Sequence, residues 1–353
     1  MRPAGWASGP LDVLIVSLGS TEGLRTADRE LCESLVRAGA SAAIAAASAP
    51  AQRRTLMLTD LAWARAARSA AGKALAEQPA PPGAVVYSST TAALLWPEPG
   101  AIRFDAAAAG NRPGRHGLWQ RPLERRRLGE APLLLPWSEG ALAEVPAAAA
   151  ASERALVLPV GVEPSGPPQP ARDIAAITYA ANPAKKGLER VLAAWRGARE
   201  ELPSGAAGEL VVAGASEEQL RRSGVDLASL EGVRVVGALP VGEYRALVRR
   251  ARVFVCAPRR EDYGIAQLEA LADGCLLVTT PAPGPYAALP IARTLDPRLV
   301  SDDLEGALRA ALHAPAPDYA ARATTALAPF RREAVDRLVV DDLLPRLLGR
   351  TPV

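Results

Sequence analysis

The sequence has 353 residues, 49% of them apolar, which is enough for two ordinary domains that each bury a core. Its 41 basic residues nearly balance its 38 acidic ones, and a formal net charge of +3 is too small for a dedicated nucleic-acid binder, whose affinity comes from neutralising phosphates. The cysteines, Cys32, Cys256 and Cys275, lack CxxC spacing and lie in apolar runs, so we expect buried free thiols rather than disulfides or a zinc site. No apolar stretch is long enough to span a bilayer, so we expect a cytoplasmic protein.

The first half of the chain alternates strand-like and helix-like segments. "LDVLIVSLG" (11–19) is a short apolar run ending in glycine, typical of a parallel strand buried on both faces. A helical pattern follows and stops at Gly39, and further helical patterns cover 59–77 and 117–129. The other predicted strands are "SAAIAAA" (41–47), "GAVVYSS" (83–89), "AIRFD" (101–105), "APLLLPW" (131–137) and "ALVLPV" (155–160).

The proline-rich segment 161–173 can continue neither element and predicts a linker. Beyond it the pattern restarts, with strands predicted at "IAAITYAAN" (174–182), "ELVVAGA" (209–215), "VRVVGAL" (233–239), "RVFVCAP" (252–258) and "CLLVTTP" (275–281). We therefore predict two Rossmann-like, doubly wound parallel-sheet domains, residues 1–165 and 171–328, facing a central cleft. Residues 329–353 are predicted to form an amphipathic helix, interrupted at Pro345, that crosses back over both domains.

Two glutamates mark one loop and helix of the second domain, in "RREDYGIAQLEALADG" (259–274). Glu261 falls in the loop after a predicted strand, and Glu269 falls inside the helix that follows. Gly264, near the helix start, would let a ligand approach backbone N–H groups that favour anions. Since open α/β sheets bind ligands at the carboxyl ends of their strands, we predict the functional site here.

"EDYGIAQLEALADGC" resembles the Glu-x7-Glu signature of retaining GT-B glycosyltransferases of family 4, which use nucleotide sugars. "VLPVGVEP" (157–164), "YAANPAKKGLERVLAAW" (179–195) and "LVVAGA" (210–215) are similar to further segments of that family, in the same order. The resemblance implies a retaining, metal-independent transferase with the GT-B fold. It implies a UDP- or GDP-sugar as co-substrate and no separate cofactor.

The resemblance also implies roles for single residues. Glu261 would contact the donor sugar, Glu269 the ribose, and Lys186 the diphosphate. The family has an arginine five residues before that lysine, where this chain has Ala181, and the neighbouring Lys185 is the candidate to compensate. The donor contacts implied in full are Gly19, Lys185, Lys186, Asp262, Tyr263, Gly264, Ile265 and Glu269.

The first domain would supply the acceptor side, with His116 either near the anomeric centre or on a surface loop. Seven arginines between 103 and 127 face only Asp105 and Glu124. They would steer an anionic acceptor, hold the protein at the inner face of an acidic membrane, or merely form a solvated helix. The acceptor stays open among saccharides, lipid-linked sugars and small molecules. Two alternatives to a transferase stay open. One is a nucleotide-sugar epimerase of the same fold, and the other, suggested by Ala181, is a catalytically silent GT-B binding or partner subunit.

Overall fold

The fold is that of a computed structural model, which describes residues 10–51, 53–147, 149, 152–167, 169, 171–200, 208–225 and 231–349. The chain divides into two compact units. The first comprises Met1–Gly161 with Pro329–Val353, and the second comprises Val162–Ala328. Each unit is built on a five-stranded parallel sheet.

The sheet of the first unit has the order β2-β1-β3-β4-β5. Its strands are β1 (Val13–Ser17), β2 (Ala42–Ala46), β3 (Ala84–Tyr87), β4 (Ala101–Phe104) and β5 (Leu134–Pro136). Its helices before the linker are α1 (Glu22–Arg37), α2 (Leu56–Glu77), α3 (Thr90–Ala93), α4 (Ala108–Asn111), α5 (Gln120–Glu130) and α6 (Glu139–Ala143). Short 3-10 helices cover Gly114–Gly117 and Ser152–Arg154.

Both faces of this sheet are covered, because alternate residues of one strand enter different cores. On β1, Val13 and Ile15 pack into one apolar cluster, whereas Leu14 and Val16 pack into two others. All five residues of β1 are buried. The continuous apolar run seen in the sequence is therefore the signature of a central parallel strand.

One predicted strand of the first unit, "ALVLPV" (155–160), is not a strand. The segment runs beside β5 and donates two backbone hydrogen bonds to it, from Leu156 to Leu134 and from Leu158 to Pro136. Only an isolated bridge forms between them. Pro136 has no N–H with which to return a bond, so the ladder cannot continue.

The C-terminal segment packs on the first unit. It comprises α14 (Arg332–Leu338), a π-helical turn (Val339–Leu343) and α15 (Leu344–Leu348). Asp336 accepts hydrogen bonds from the Ser34 hydroxyl at 2.5 Å and from Arg37 Nε at 2.8 Å, both on α1. Pro345 lacks the N–H that a continuous α-helix would use, and the π turn lies just before it.

The sheet of the second unit has the order β10-β9-β6-β7-β8. Its strands are β6 (Ile174–Tyr179), β7 (Leu210–Ala213), β8 (Val233–Gly237), β9 (Ala251–Cys256) and β10 (Leu276–Thr279). Its helices are α7 (Leu188–Ala198), α8 (Glu217–Arg222), α9 (Val241–Arg250), α10 (Ile265–Ala272), α11 (Ala288–Leu295), α12 (Leu304–His313) and α13 (Tyr319–Ala326). Each of its five predicted strands is observed. Across the part of the chain that the structure describes, no helix is long and apolar enough to cross a membrane.

Candidate functional site

Two loops of the second unit meet at the carboxyl edge of its sheet. One follows β6 and leads into α7, and the other follows β9 and leads into α10. Because β6 and β9 are neighbouring strands, their loops leave the sheet side by side. The Arg259 N–H donates to the Lys185 carbonyl at 3.1 Å, which joins the two loops directly.

Gly187 explains how closely these loops approach. It has φ of 63° and caps the N-terminus of α7. A Cβ added there would lie 1.9 Å from the Ala257 carbonyl oxygen, which is far inside van der Waals contact. Only glycine fits this position, both for its backbone conformation and for the space available.

The carboxylate of Glu261 is at the centre of the site. Its Oε2 atom accepts from Lys186 Nζ at 2.7 Å and from Gln267 Nε2 at 3.1 Å. Glu261 is only 5% exposed, whereas the Lys186 side chain keeps 23% of its surface in solvent. The structure thus brings Glu261 and Lys186 together as an ion pair at the rim of the sheet.

A second set of charges lies beside this pair. Asp262 accepts from Arg260 Nε at 2.8 Å and lies 3.4 Å from Lys185 Nζ. The Lys185 side chain is half exposed. The two loops carry four cations, including Arg259, which pairs with Glu189 at 2.6 Å, and only two carboxylates. Their excess of positive charge favours an anionic ligand.

Ala181 follows β6 and is exposed. The turn after it is closed by Asn182, whose Oδ1 accepts from the Lys185 N–H at 3.0 Å and whose carbonyl accepts from the Lys186 N–H at 2.9 Å. This turn sends the two lysines to different carboxylates. Lys185 points towards Asp262, so the two side chains are not equivalent.

Glu269 lies on the second turn of α10 and has different partners. Arg245 donates from Nη1 to Glu269 Oε1 at 2.9 Å and from Nε to Asp273 Oδ2 at 2.7 Å. Arg245 Nη2 also donates to the Glu163 carbonyl at 2.9 Å. Burial raises the pKa of Glu269, and the Arg245 guanidinium opposes that shift.

The N-terminus of α10 has no side-chain cap. Its N-cap is Gly264, with φ of 91°, and a Cβ there would lie 2.8 Å from the Tyr286 ring. Tyr263, just before it, is buried and accepts through its carbonyl from the Ala287 N–H at 3.0 Å. Ile265, the first residue of the helix, is half-buried. The first-turn N–H groups are thus left for an anion.

The segment after β10 supports the loop of Glu261, which the sequence did not reveal. The Glu261 N–H donates to the Pro283 carbonyl at 3.0 Å. Gly284 has φ of 112°, and a Cβ there would lie 2.3 Å from the Glu261 carbonyl oxygen. The glycine between two prolines in "PAPGPY" is the sequence feature that could have indicated this close contact between the two backbone segments. No comparable signal pointed to Gln267 or Arg245.

The remaining predicted site residues belong to the first unit. Gly19 follows β1, has φ of 56° and accepts through its carbonyl from Arg25 Nη1 at 2.7 Å. His116 is exposed on the 3-10 helix Gly114–Gly117. Their predicted roles towards donor and acceptor stay predictions.

The arginine-rich segment 103–127 is mostly engaged within the first unit. Five of its seven arginines donate hydrogen bonds to the protein itself, namely Arg103, Arg112, Arg121, Arg126 and Arg127. Arg115 and Arg125 are exposed. Most of the arginines that suggested an anionic acceptor or a membrane surface are therefore hydrogen-bonded within the protein.

A buried carboxylate lies in the same segment. Both oxygens of Glu124 accept from the Ala108 N–H, at 2.8 and 3.0 Å, at the start of α4. Burial raises the pKa of Glu124 to about 7, although its hydrogen bonds oppose the shift. Within the described ranges, no group of three or more His, Cys, Asp and Glu side chains is arranged to hold a metal ion.

Comparisons with known proteins match this architecture. Residues 172–314 match the family model for glycosyl transferases group 1, whereas no curated protein matches the sequence. Sucrose-phosphate synthase from Thermosynechococcus elongatus is 16% identical, with a TM-score of 0.67 over 97% of this chain and 100% of that one. A trehalose-6-phosphate protein from E. coli, bound with UDP-2-fluoro glucose, is 12% identical, with a TM-score of 0.65 over 97% and 100%.

WaaG, a glycosyltransferase involved in lipopolysaccharide biosynthesis, is 16% identical, with a TM-score of 0.63 over 96% of this chain and 97% of that one. At these identities the likeness concerns the fold. The matched region of the family model contains both loops and α10, and hence both glutamates. The predicted fold class is confirmed: the chain has the GT-B fold, and its second unit resembles the group 1 glycosyltransferases.

Proposed function

We propose that the protein is a retaining glycosyltransferase that transfers a sugar from a UDP- or GDP-sugar to an acceptor hydroxyl. The observation that carries the proposal is the arrangement of Glu261 and Glu269. One lies on a loop beside a lysine, the other lies on the helix behind it, and both fall within the segment that matches glycosyl transferases group 1. The structurally similar trehalose-6-phosphate protein from E. coli, which is bound with UDP-2-fluoro glucose, supports a nucleotide-sugar donor.

The donor diphosphate would bind at the N-terminus of α10, where Lys186 and the first-turn N–H groups supply positive charge. Lys186 now donates to Glu261 at 2.7 Å. An ammonium group has three donors, so it can contact a phosphate oxygen and still remain near the carboxylate. Lys185 would supply the second cation, in place of the arginine that Ala181 lacks.

Glu261 would accept hydrogen bonds from hydroxyls of the donor sugar and stabilise the positive charge that develops at the anomeric carbon. The bond from the anomeric carbon to the leaving phosphate oxygen breaks as the bond to the acceptor oxygen forms on the same face. The acceptor proton passes to the departing diphosphate, and the reaction requires no metal. Glu269 would accept from the ribose hydroxyls, fixed by Arg245.

Calorimetric titration with UDP and GDP tests the donor site. Glu269→Ala should lose roughly 10- to 100-fold in nucleotide affinity, because a hydrogen bond to a charged group contributes about 1.5–3 kcal/mol. Glu261→Ala should retain affinity, because its proposed contact is to the sugar. Glu231→Ala, at an exposed position before β8, is the control and should bind as the parent does. Unchanged affinity in Glu269→Ala would contradict the ribose assignment.

We propose that His116 acts on the acceptor side of the reaction. His116→Ala should slow transfer to the acceptor while leaving nucleotide affinity within about twofold, since the histidine belongs to the other unit. If His116→Ala transfers sugar at the parent rate, His116 is a surface residue without a role in the reaction. We propose a cytoplasmic location, with peripheral attachment to the inner membrane face through the exposed Arg115, Arg125 and Arg126.

A further inference from the structure

Gln267 is buried directly behind the carboxylate of Glu261. It is the third residue of α10, is 2% exposed, and donates from Nε2 to Glu261 Oε2 at 3.1 Å. The nitrogen must face the carboxylate, because an ionised carboxylate can only accept. A residue on the helix thus fixes a side chain on the loop six residues earlier.

Lys186 and Gln267 donate to the same oxygen of Glu261, but an anionic ligand would attract only the lysine. Lys186 Nζ is the closer, at 2.7 Å, but its charge also attracts any anion that binds beside α10. The side-chain amide of Gln267 is neutral and buried, so an incoming diphosphate does not draw it away from Glu261. When Lys186 turns towards phosphate, the bond from Gln267 is the one that stays.

The surroundings of Gln267 show that stability alone does not explain an amide there. Its Oε1 atom is buried and has no hydrogen-bond partner among the described residues. Its Nε2 atom lies 3.6 Å from Cys256 Sγ, a weak acceptor. An unsatisfied buried acceptor is destabilising, and an apolar side chain of similar size would avoid it.

We infer that Gln267 is a positioning residue for the transfer reaction, which keeps the Glu261 carboxylate oriented towards the donor sugar when Lys186 engages the diphosphate. The inference rests on the proposed function. Gly264 belongs to the same arrangement, because a Cβ there would lie 3.3 Å from Gln267 Oε1 as well as against Tyr286. The glycine leaves room for the amide to face the loop.

Steady-state kinetics with the full chain test the positioning role. Gln267→Leu should lower kcat by about 10-fold or more, the loss expected when a hydrogen bond to a charged group is removed. Its affinity for UDP or GDP should stay within about twofold, because the substitution keeps the backbone N–H of residue 267 and the Gln267 side chain is not proposed to contact the nucleotide. Tyr319→Phe is the control: it removes a buried hydroxyl that accepts from the Leu277 N–H at 3.2 Å, away from the glutamate loop, and it should leave kcat within about twofold.

Gln267→Glu adds a readout that a purely structural role would not move. At low pH the new carboxyl and Glu261 share a proton, so the hydrogen bond is kept. As pH rises, two adjacent carboxylates repel each other, and kcat should fall to the Gln267→Leu level or below. The pH profile of the parent should lack this fall. A Gln267→Glu profile that parallels that of the parent would overturn the inference.

Crystal structures with inorganic pyrophosphate give a test that does not depend on turnover. In the parent, Lys186 should move to pyrophosphate while Gln267 stays on Glu261; in Gln267→Leu, the Glu261 side chain should leave its position. If Glu261 keeps the same position in Gln267→Leu with pyrophosphate bound, or if kcat is unchanged, Gln267 does not position it. A parent protein that consumes no nucleotide sugar would instead refute the proposed function, and the crystal structures would still decide the role of Gln267.

Discussion

Replacing Gly187 by alanine tests whether the two loops of the site must touch. The substitution places a Cβ 1.9 Å from the Ala257 carbonyl oxygen, so the loops must separate by roughly 1.5 Å to restore van der Waals contact. Overpacking of this kind costs about 1–3 kcal/mol. The left-handed backbone at φ of 63° adds about 1–2 kcal/mol for a residue with a Cβ. We expect Gly187→Ala to lower the free energy of unfolding by about 2–5 kcal/mol.

Gly224 provides a matched control in the same unit. Its φ is 85°, but nothing lies within 4 Å of an added Cβ. It follows α8, so it lies at the amino edge of the sheet, opposite the site. Gly224→Ala should therefore show only the backbone cost, about 1–2 kcal/mol.

Urea unfolding of the two variants measures the difference, and titration with UDP and GDP measures its effect on the site. Gly187→Ala should bind nucleotide at least about 10-fold more weakly than Gly224→Ala, because separation of the loops moves Lys186 away from α10. Equal losses of stability and equal nucleotide affinities in the two variants would refute the argument that loop contact shapes the site.

Three further predictions follow from buried or paired charges. Arg245→Met should lower the free energy of unfolding by about 3–5 kcal/mol, since it leaves the buried Asp273 and the partly buried Glu269 without their cation. Urea unfolding checks this, and a loss under about 1 kcal/mol would contradict it. Glu124 ionises near pH 4.5 in the unfolded chain but only near pH 7 in the folded protein, so the folded protein loses stability as the pH rises between these values. The parent should lose about 3 kcal/mol over this range, and Glu124→Gln should not. Parallel profiles of stability against pH for the two proteins would refute this. Lys185→Ala should weaken nucleoside diphosphate binding by about 10-fold if Lys185 compensates for Ala181, and unchanged calorimetric affinity would leave Lys186 as the principal side-chain cation.

The strands of both sheets could be predicted from sequence because buried parallel strands require unbroken apolar runs. The exception, residues 155–160, has such a run, but its neighbour Pro136 cannot donate to the ladder. Apolar content alone does not show whether a partner strand can return hydrogen bonds.

The glutamate loop and helix were likewise placed correctly, since Glu261 precedes α10 and Glu269 lies within it. The partners of these side chains were not foreseen. Gln267 and Arg245 reach the glutamates across a helix turn and from another helix, and such contacts depend on tertiary packing that a linear pattern does not encode. For the same reason, five arginines that suggested a basic surface turned out to have acceptors within the protein.

Consumption of UDP-, GDP- and ADP-sugars, followed by phosphorus NMR for the parent and for Glu261→Ala, tests the central claim most directly. The parent should release nucleoside diphosphate from a UDP- or GDP-sugar. Glu261→Ala should do so at least about 100-fold more slowly while still binding the free nucleotide, because the carboxylate acts on the sugar in the transition state. A parent that binds and consumes none of these donors, or a Glu261→Ala variant with the parent rate, would contradict the assignment of this site to glycosyl transfer.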